Sequence, residues 1–265
     1  MISKNRIKNI RSLGLKKNRD ESGFFVAEGP KVVGDLFSTF TCSYLAALPE
    51  WLQKRPIPTH QHPEINEINA EELKKISFLE HPQEVLAVFK KLETTKPPTD
   101  TLTCKLSLAL DDIQNPGNLG TIIRIADWFG VTDILCSLLT ADAYGNKAIQ
   151  ATMGALARVR VHYLDLNAYI ETLPKEIPVY GTFLNGQNIY HEELKPYGLI
   201  VMGNEGNGIS PQIGRLITDR LYIPNFPEGR STSESLNVAV ATAITCAEFR
   251  RQAMQKKSTT RSNIL

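Results

Sequence analysis

The sequence predicts an α/β protein in which a parallel-sheet domain with a C-terminal helix follows a smaller α/β domain. Three observations predict it. The 265 residues include 42% hydrophobic ones, enough for two cores. After residue 100, short apolar runs alternate with helical patterns. These runs are almost continuously apolar, which is typical of parallel strands covered on both faces.

The first domain is predicted over residues 1–93, with apolar stretches FFVAEG (24–29), SYLAAL (43–48) and VLAVF (85–89). The pattern GPKVVGDLFSTF (29–40) predicts a helix between the first two stretches. We also interpret PQEVLAVFKKLE (82–93) as a helical segment. Two prolines and several polar residues in TTKPPTD then predict a linker over residues 94–100, and residues 101–265 form the second domain.

The second domain alternates clearly between the two kinds of element. The predicted strands are LSLALD (106–111), DILCS (133–137), VRVHYL (159–164), PVYGTFL (178–184), GLIVMG (198–203) and RLYIP (220–224). The predicted helices are TIIRIADWFG (121–130), NKAIQATMGAL (146–156), LNAYIETLP (166–174), SPQIGRLI (210–217) and SLNVAVATAITCAEFRRQA (235–253).

Charge and cysteine usage limit the function classes. The net charge is only +2, but residues 1–19 hold seven basic side chains and no acid, and the tail after Glu248 is also basic. Both ends could bind phosphate, although a solvated surface is the alternative. Cys42, Cys104, Cys136 and Cys246 lie far apart, which predicts buried thiols with no metal site and no disulfide. No apolar run is long enough for a membrane helix, and no signal peptide is indicated, so we expect a cytoplasmic protein.

Three polar, glycine-rich loops follow predicted strands: DDIQNPGNLG (111–120), GNEGNGIS (203–210) and NFPEGRSTSES (225–235). In parallel sheets, ligands bind at the carboxyl ends of the strands, where these loops lie. Structural alternatives exist, since Asn118 and Ser210 could cap helices, and Ser231 with Glu234 matches a capping box. The Rossmann and phosphate-loop motifs are absent, which argues against binding of ATP or a dinucleotide.

The three loops carry a resemblance. NPGNLGTIIR (115–124), VMGNEGNGIS (201–210) and IPNFPEGRSTSESLNVAVATAI (223–244) resemble, in order and spacing, the signature motifs of the SpoU-type RNA 2′-O-ribose methyltransferases, the TrmH-like branch of the SPOUT class. The similarity covers most of residues 101–252. KNRDESGFFVAEGPKVVGDLF (17–37) is similar to the small RNA-binding domain that often precedes the catalytic one. The third loop departs from the family by being longer.

The resemblance implies a cofactor, a fold and a partner. The cofactor would be S-adenosylmethionine, the catalytic domain would contain a C-terminal trefoil knot, and the enzyme would be a homodimer acting on RNA, ribosomal more than transfer RNA. The catalytic residues it implies are Arg124, Asn118, Glu205, Ser235 and Asn237. The residues it implies for the cofactor pocket are Gly203, Ile223, Leu236, Met202 and Asn204.

Physical chemistry qualifies the role of Arg124. A guanidinium has a pKa above about 12, so it is a poor proton acceptor. We therefore expect Arg124 to bind the phosphate beside the reacting ribose and to stabilise negative charge on the oxygen. The structural alternative is an ion pair with Asp127 on a solvent-facing stripe.

Two other function classes remain open from sequence. A non-catalytic RNA-binding protein would use the basic ends and would not bind S-adenosylmethionine. A base methyltransferase of the wider knotted class would act on a ring nitrogen, although Asn118 with Arg124 is characteristic of the ribose branch.

Overall fold

A computed structural model describes residues 2–93, 99–227, 230 and 235–262. Most of the predicted linker and most of the lengthened third loop, including the Ser231–Glu234 capping box, lie outside the described residues. The described part divides into two compact units, one formed by residues 2–93 with 142–158 and the other by residues 99–141 with 159–262.

The strands are, in chain order, β1 (Phe24–Glu28), β2 (Cys42–Ala47), β3 (Glu64–Glu67), β4 (Val85–Lys90), β5 (Leu106–Leu110), β6 (Asp133–Cys136), β7 (Arg160–Tyr163), β8 (Val179–Asn188), β9 (Gly198–Met202) and β10 (Asp219–Tyr222). The α-helices are α1 (Lys4–Ser12), α2 (Lys16–Ser22), α3 (Pro30–Leu36), α4 (Pro49–Lys54), α5 (Ala70–Ile76), α6 (Pro116–Trp128), α7 (Asn146–Thr152), α8 (Leu166–Glu171), α9 (Pro211–Gly214) and α10 (Val238–Ser262). Short 3-10 helices span Thr99–Thr103 and Ala155–Ala157.

The first unit contains a four-stranded sheet in the order β1-β4-β2-β3. Strand β4 pairs antiparallel with β1 and β2, and β3 runs parallel to β2. The helical interpretation of residues 82–93 is therefore wrong, since β4 is a central strand. All residues from Val85 to Phe89 are buried, so the run lacks the alternation that marks a half-exposed strand.

The second unit contains a six-stranded sheet in the order β10-β8-β9-β5-β6-β7, and every neighbouring pair is parallel. This confirms the predicted parallel sheet. Every residue of the central strands β5 and β9 is buried, as expected where helices cover both faces. Leu110 at the end of β5 lies beside Met202 at the end of β9, so the loops after these strands begin side by side.

The boundary between the units differs from the predicted domain boundary in one segment. Residues 142–158, which the sequence assigned to the second domain, belong to the first unit. Gln150 Nε2 donates to the Glu28 carbonyl at 3.0 Å, and Thr39 Oγ1 donates to the Ala157 carbonyl at 2.6 Å. The reason is packing, because Ile149 and Leu156 are buried, α7 contacts β1, and the 3-10 helix Ala155–Ala157 contacts α3.

The cysteines are mostly as predicted. Cys42, Cys136 and Cys246 are buried, whereas Cys104 is exposed, which corrects the expectation for that residue. Burial raises the pKa of the Cys42 and Cys246 thiols to about 12. Among the helices that the structure describes, none has the length and hydropathy needed to cross a membrane.

Candidate active site

The first loop leads from β5 into α6 through a defined helix start. Asn115 is the N-cap, and its Oδ1 accepts from the backbone N–H groups of Gly117 at 2.8 Å and Asn118 at 3.1 Å. Pro116 occupies the first helical position, where its missing N–H costs nothing. Asn118 is therefore not the cap, and its side chain is available for another role.

The second loop is a tight turn organised by Asn204. Its backbone exchanges two hydrogen bonds with Gly208, both of 2.9 Å. Its Oδ1 accepts from the N–H groups of Gly206 at 2.8 Å and Asn207 at 3.2 Å. Its Nδ2 donates to the Asp112 carbonyl at 2.7 Å, which ties the second loop to the first. The side chain predicted to line the cofactor pocket is thus occupied in shaping the loop.

Gly203 is required by close backbone approach. A Cβ at this position would lie 2.2 Å from Gly208 C and 2.2 Å from Ile209 N, a contact that no side chain tolerates. The glycine therefore lets the turn close upon itself, and any larger residue would open the loop.

Two aspartates that sequence reasoning missed fasten the same loops. Asp111 is buried, and its Oδ2 accepts from the Ser210 backbone N–H at 2.7 Å. Asp112 has a φ of 57°, and its Oδ1 accepts from Ser137 Oγ at 2.5 Å. A pair of acidic residues directly after a buried apolar strand was the available signal, because carboxylates at that place need donors from neighbouring loops.

Asn118 in the first loop forms hydrogen bonds both with the second loop and with the segment just before α10. Its Nδ2 donates to Glu205 Oε1 at 2.5 Å, and its Oδ1 accepts from Asn237 Nδ2 at 3.1 Å. Asn237 Oδ1 in turn accepts from the N–H groups of Ala239 at 3.0 Å and Val240 at 3.4 Å, at the start of α10. Three of the five predicted catalytic residues are therefore joined by hydrogen bonds.

Arg124 lies on α6 with an exposed side chain. It takes part in none of the hydrogen bonds or ion pairs found among the described residues, so the alternative of a pair with Asp127 is not what holds it. It is about six residues beyond Asn118, which is roughly 9 Å along the helix axis. Its charge is therefore available to an external group.

The remaining predicted residues differ in accessibility. Ser235 is exposed, and Leu236 presents an apolar side chain with 47% exposure immediately before α10. Ile223 is half-buried directly after β10, and Met202 is fully buried in β9. Exposed apolar surface beside polar loop backbone fits a site for a nucleoside-containing cofactor. Met202 could contribute only its main chain.

A separate cavity of about 320 Å³ opens between β8 and β10. It is lined by residues 185–187 and 218–221 with Glu192, and it contains none of the predicted site residues. No cluster of three or more metal-ligating side chains occurs within the described ranges.

The basic N-terminus is largely engaged within the first unit. Arg19 is buried, and its guanidinium donates to Asp142 Oδ2 at 2.7 and 2.9 Å and to the carbonyls of Leu13 and Gly14. Arg6 pairs with Glu64 at 2.5 Å.

The other basic residues near the N-terminus include some that are engaged within the unit and some that form no ion pair among the described residues. Arg11 donates to the Ser77 carbonyl at 2.5 Å, and Lys16 and Lys17 pair with acids one turn later in α2. Lys4 and Lys8 are exposed and take part in none of the ion pairs among described residues.

In the basic tail, the described side chains are also engaged. Arg250 donates to the carbonyls of Phe129 and Gly130, Arg251 pairs with Glu248, and Lys256 pairs with Glu193. The side chains of Lys257 and Arg261 lie outside the described residues. Among the described residues of the two ends, the basic side chains that remain for a phosphate contact are therefore Lys4 and Lys8.

The six-stranded parallel sheet, with the three loops at the carboxyl ends of its strands, defines an α/β class of fold. The model of the SpoU rRNA Methylase family matches residues 105–247, and the model of the MRM3-like substrate binding domain matches residues 4–87. The 23S rRNA (guanosine(2553)-2′-O)-methyltransferase RlmP of Bacillus subtilis is 30% identical over 246 residues, covering 90% of this chain and 93% of the relative.

Solved structures agree with the family models. A protein of Porphyromonas gingivalis described as of the TrmH family of RNA methyltransferases is 41% identical, with a TM-score of 0.85, and the match covers 95% of this chain and 99% of that one. An rRNA methyltransferase of Sinorhizobium meliloti, solved with S-adenosylmethionine bound, is 28% identical, with a TM-score of 0.82 and coverage of 95% and 97%.

The chain belongs to the SpoU rRNA Methylase family. The sequence-based prediction of an S-adenosylmethionine-dependent RNA 2′-O-ribose methyltransferase is confirmed.

Proposed function

We propose that this enzyme methylates a ribose 2′-OH in ribosomal RNA, with catalysis at the junction of the three loops. The observation that carries the proposal is the hydrogen-bonded connection of Asn237, Asn118 and Glu205, which brings the three family motifs together at one point. The ribosomal substrate is supported by the relative from Bacillus subtilis, which matches nearly the full length of both chains.

Arg124 would bind the phosphate next to the reacting ribose. Its exposed guanidinium has no competing partner among the described residues, and a planar guanidinium grips two phosphate oxygens at once. Positive charge beside the 2′-oxygen stabilises the negative charge that develops during transfer. Ser235 would contact the same ribose from the start of α10.

The cofactor would bind against loop main chain and apolar side chains. When bound, S-adenosylmethionine supplies an electrophilic methyl group on a sulfonium. Gly203 and Asn204 would contribute backbone, Met202 its main chain, and Ile223 and Leu236 the apolar surface for adenine. The positions of residues 202–204 at the carboxyl end of β9 and of Ile223 directly after β10 support this assignment, and Leu236 lies just before α10.

Three further features complete the proposal. Residues 1–93 would supply affinity for RNA, supported by the match to a substrate-binding domain model over residues 4–87. The catalytic domain would contain a trefoil knot, and the enzyme would work as a homodimer, both supported by family membership. A cytoplasmic location stays a prediction from the sequence.

The test uses purified protein, methyl-labelled S-adenosylmethionine and total RNA from a strain that lacks the gene. Ribosomal and transfer RNA are separated afterwards, and their nucleosides are analysed by mass spectrometry. We expect a labelled 2′-O-methyl nucleoside in ribosomal RNA. Label confined to transfer RNA would contradict the substrate, and a base-methylated nucleoside would contradict the reaction.

A further inference from the structure

The start of α10 fixes the orientation of two amide side chains. Asn237 Oδ1 accepts from the N–H groups of Ala239 and Val240, so its Nδ2 must point away from the helix. That Nδ2 donates to Asn118, which must therefore present its Oδ1. The Nδ2 of Asn118 is then left to donate to Glu205. Helix capping thus determines the direction of the whole chain of hydrogen bonds.

This chain ends on a carboxylate with spare acceptor capacity. Oε1 of Glu205 accepts from Asn118, whereas Oε2 takes part in none of the hydrogen bonds found among the described residues. The Glu205 side chain is exposed at the tip of the second loop. A donor on Oε1 holds the group in place and leaves Oε2 free to accept a proton from outside the protein.

Methyl transfer to a hydroxyl must release one proton, and few of the described groups at this junction can take it. Arg124 is a guanidinium and stays protonated. Asn118 and Asn237 carry amides, and Ser235 a neutral hydroxyl, none of which is a base near neutral pH. The carboxylates of Asp111 and Asp112 hold Ser210 and Ser137 in place.

We propose that Glu205 is the proton acceptor of the reaction. The 2′-oxygen forms a bond to the methyl carbon as the bond from that carbon to sulfur breaks, and S-adenosylhomocysteine leaves with the electron pair. The 2′-OH proton moves to Glu205 Oε2 and passes to solvent after product release. This inference rests on the proposed function, since it needs a ribose hydroxyl at the junction. Asn118 and Asn237 are positioning residues for the carboxylate.

The main test is Glu205→Gln, because the amide oxygen can still accept from Asn118 while the base is lost. Single-turnover transfer at saturating RNA should fall by about 10² to 10⁴. Calorimetry should show an unchanged affinity for S-adenosylmethionine, and the melting temperature should stay at the wild-type value. The wild-type rate should decline on the acid side, and the variant should lack this decline.

Glu228→Gln and Glu234→Gln are the matched controls. Both glutamates belong to the third loop and lie outside the described residues. We expect both variants to keep the acid-side decline of the wild type. A rate for Glu205→Gln within a fewfold of wild type, or a decline that disappears in either control instead, would overturn the proposal. If wild type transfers methyl groups to no RNA, the proposed function fails first.

A second variant tests the positioning role. Asn237→Asp keeps the helix cap but replaces the donor to Asn118 by an acceptor, so the chain of hydrogen bonds loses its direction. Transfer should slow through kcat with little change in KM. Combined with Glu205→Gln, Asn237→Asp should cause no further loss of rate, because both changes disable the same proton acceptor. Additive losses would overturn the positional link to Glu205.

Discussion

Two arginines, one in each unit, are used in opposite ways. In the first unit, Arg19 is buried against Asp142, with side-chain exposures of 5% and 10%, and it serves only the interior. In the second unit, Arg124 is exposed, and the described residues offer it no partner. A run of basic residues was the stronger sequence signal for phosphate binding, yet most of that run is consumed by local contacts. We therefore expect an available charge to be a better indicator of a phosphate-binding site than a dense run of charges.

The largest expected effect concerns residues 142–158, which belong to the first unit although they lie within the predicted second domain. A fragment of residues 99–265 would carry residues 142–158 without the packing partners of Ile149 and Leu156. Exposing two such side chains costs about 3–6 kcal/mol. The fragment should therefore melt earlier than one in which a short Gly/Ser linker replaces residues 142–158.

Both fragments can be compared by thermal melting and by calorimetry with S-adenosylmethionine. The linker version should bind the cofactor, because no described residue of the candidate site lies in 142–158. Equal melting temperatures would show that the segment does not depend on the first unit.

Arg19→Ala tests the interior role. It leaves the Asp142 carboxylate buried without its partner, which should lower the free energy of unfolding by about 3–5 kcal/mol. Urea denaturation measures the change. The matched control is Arg6→Ala, whose partner Glu64 is 56% exposed and whose loss should cost about 1 kcal/mol or less. Similar losses in both variants would remove the distinction drawn between the two arginines.

Arg124→Ala tests the external role. Methyl transfer should fall by about 10² to 10³, because a group that stabilises developing charge is lost. Arg124→Lys should also be poor, since lysine lacks the planar fork. Melting temperature and cofactor affinity should match wild type. Arg160→Ala is the control, since Arg160 is exposed at the amino end of β7, at the edge of the sheet opposite the loops. Wild-type turnover in Arg124→Ala would refute the assigned role.

Lys4 and Lys8 remain the available charges of the N-terminus. Replacing both with Ala should weaken RNA binding a fewfold, and the slope of log affinity against log salt should become shallower by about one per lysine. Filter binding at several salt concentrations would measure both the affinity and the slope. Replacing Lys16 and Lys17, which already pair within α2, should change the slope less. An equal change of the slope in both double variants would contradict the idea that unpaired lysines contact RNA more than paired ones do.

The smallest effect is expected from the buried, hydrogen-bonded pair of His162 and Asp133. His162 Nε2 donates to Asp133 Oδ1 at 2.9 Å, and this hydrogen bond lowers the pKa of the Asp133 carboxyl. A carboxyl whose pKa is lower in the folded state stabilises the fold at pH values above its pKa in the unfolded state. This contribution disappears as the pH falls through its pKa in the folded state. Asp133→Asn should cost about 1 kcal/mol at neutral pH.

The pH dependence provides the check on that pair. Melting temperatures of wild type and Asp133→Asn should converge as the solution becomes acidic enough to protonate the carboxyl. A constant difference across the acid range would mean that packing, and not the ionised carboxylate, causes the loss.

Much of the second unit could be predicted from sequence, because hydrophobic periodicity is a local property. LSLAL and GLIVM are continuous apolar runs, and both form central strands of the parallel sheet. The motif loops could also be located, since glycine and asparagine are needed wherever backbone turns closely. The strand Val85–Lys90 could be mistaken for a helix because burial on both faces removes the period that separates the two.

The sequence by itself determined the alternation of strands and helices, the three loops at one edge of the sheet, and the residue types available for chemistry. Only the tertiary structure decided which polar groups meet. Asn118 bonds to residues 87 and 119 positions away, and Arg19 finds its acid 123 positions away. The physical reason is that helix and strand patterns arise between neighbours in the chain, whereas the partner of a hydrogen bond or a buried charge depends on how distant segments pack.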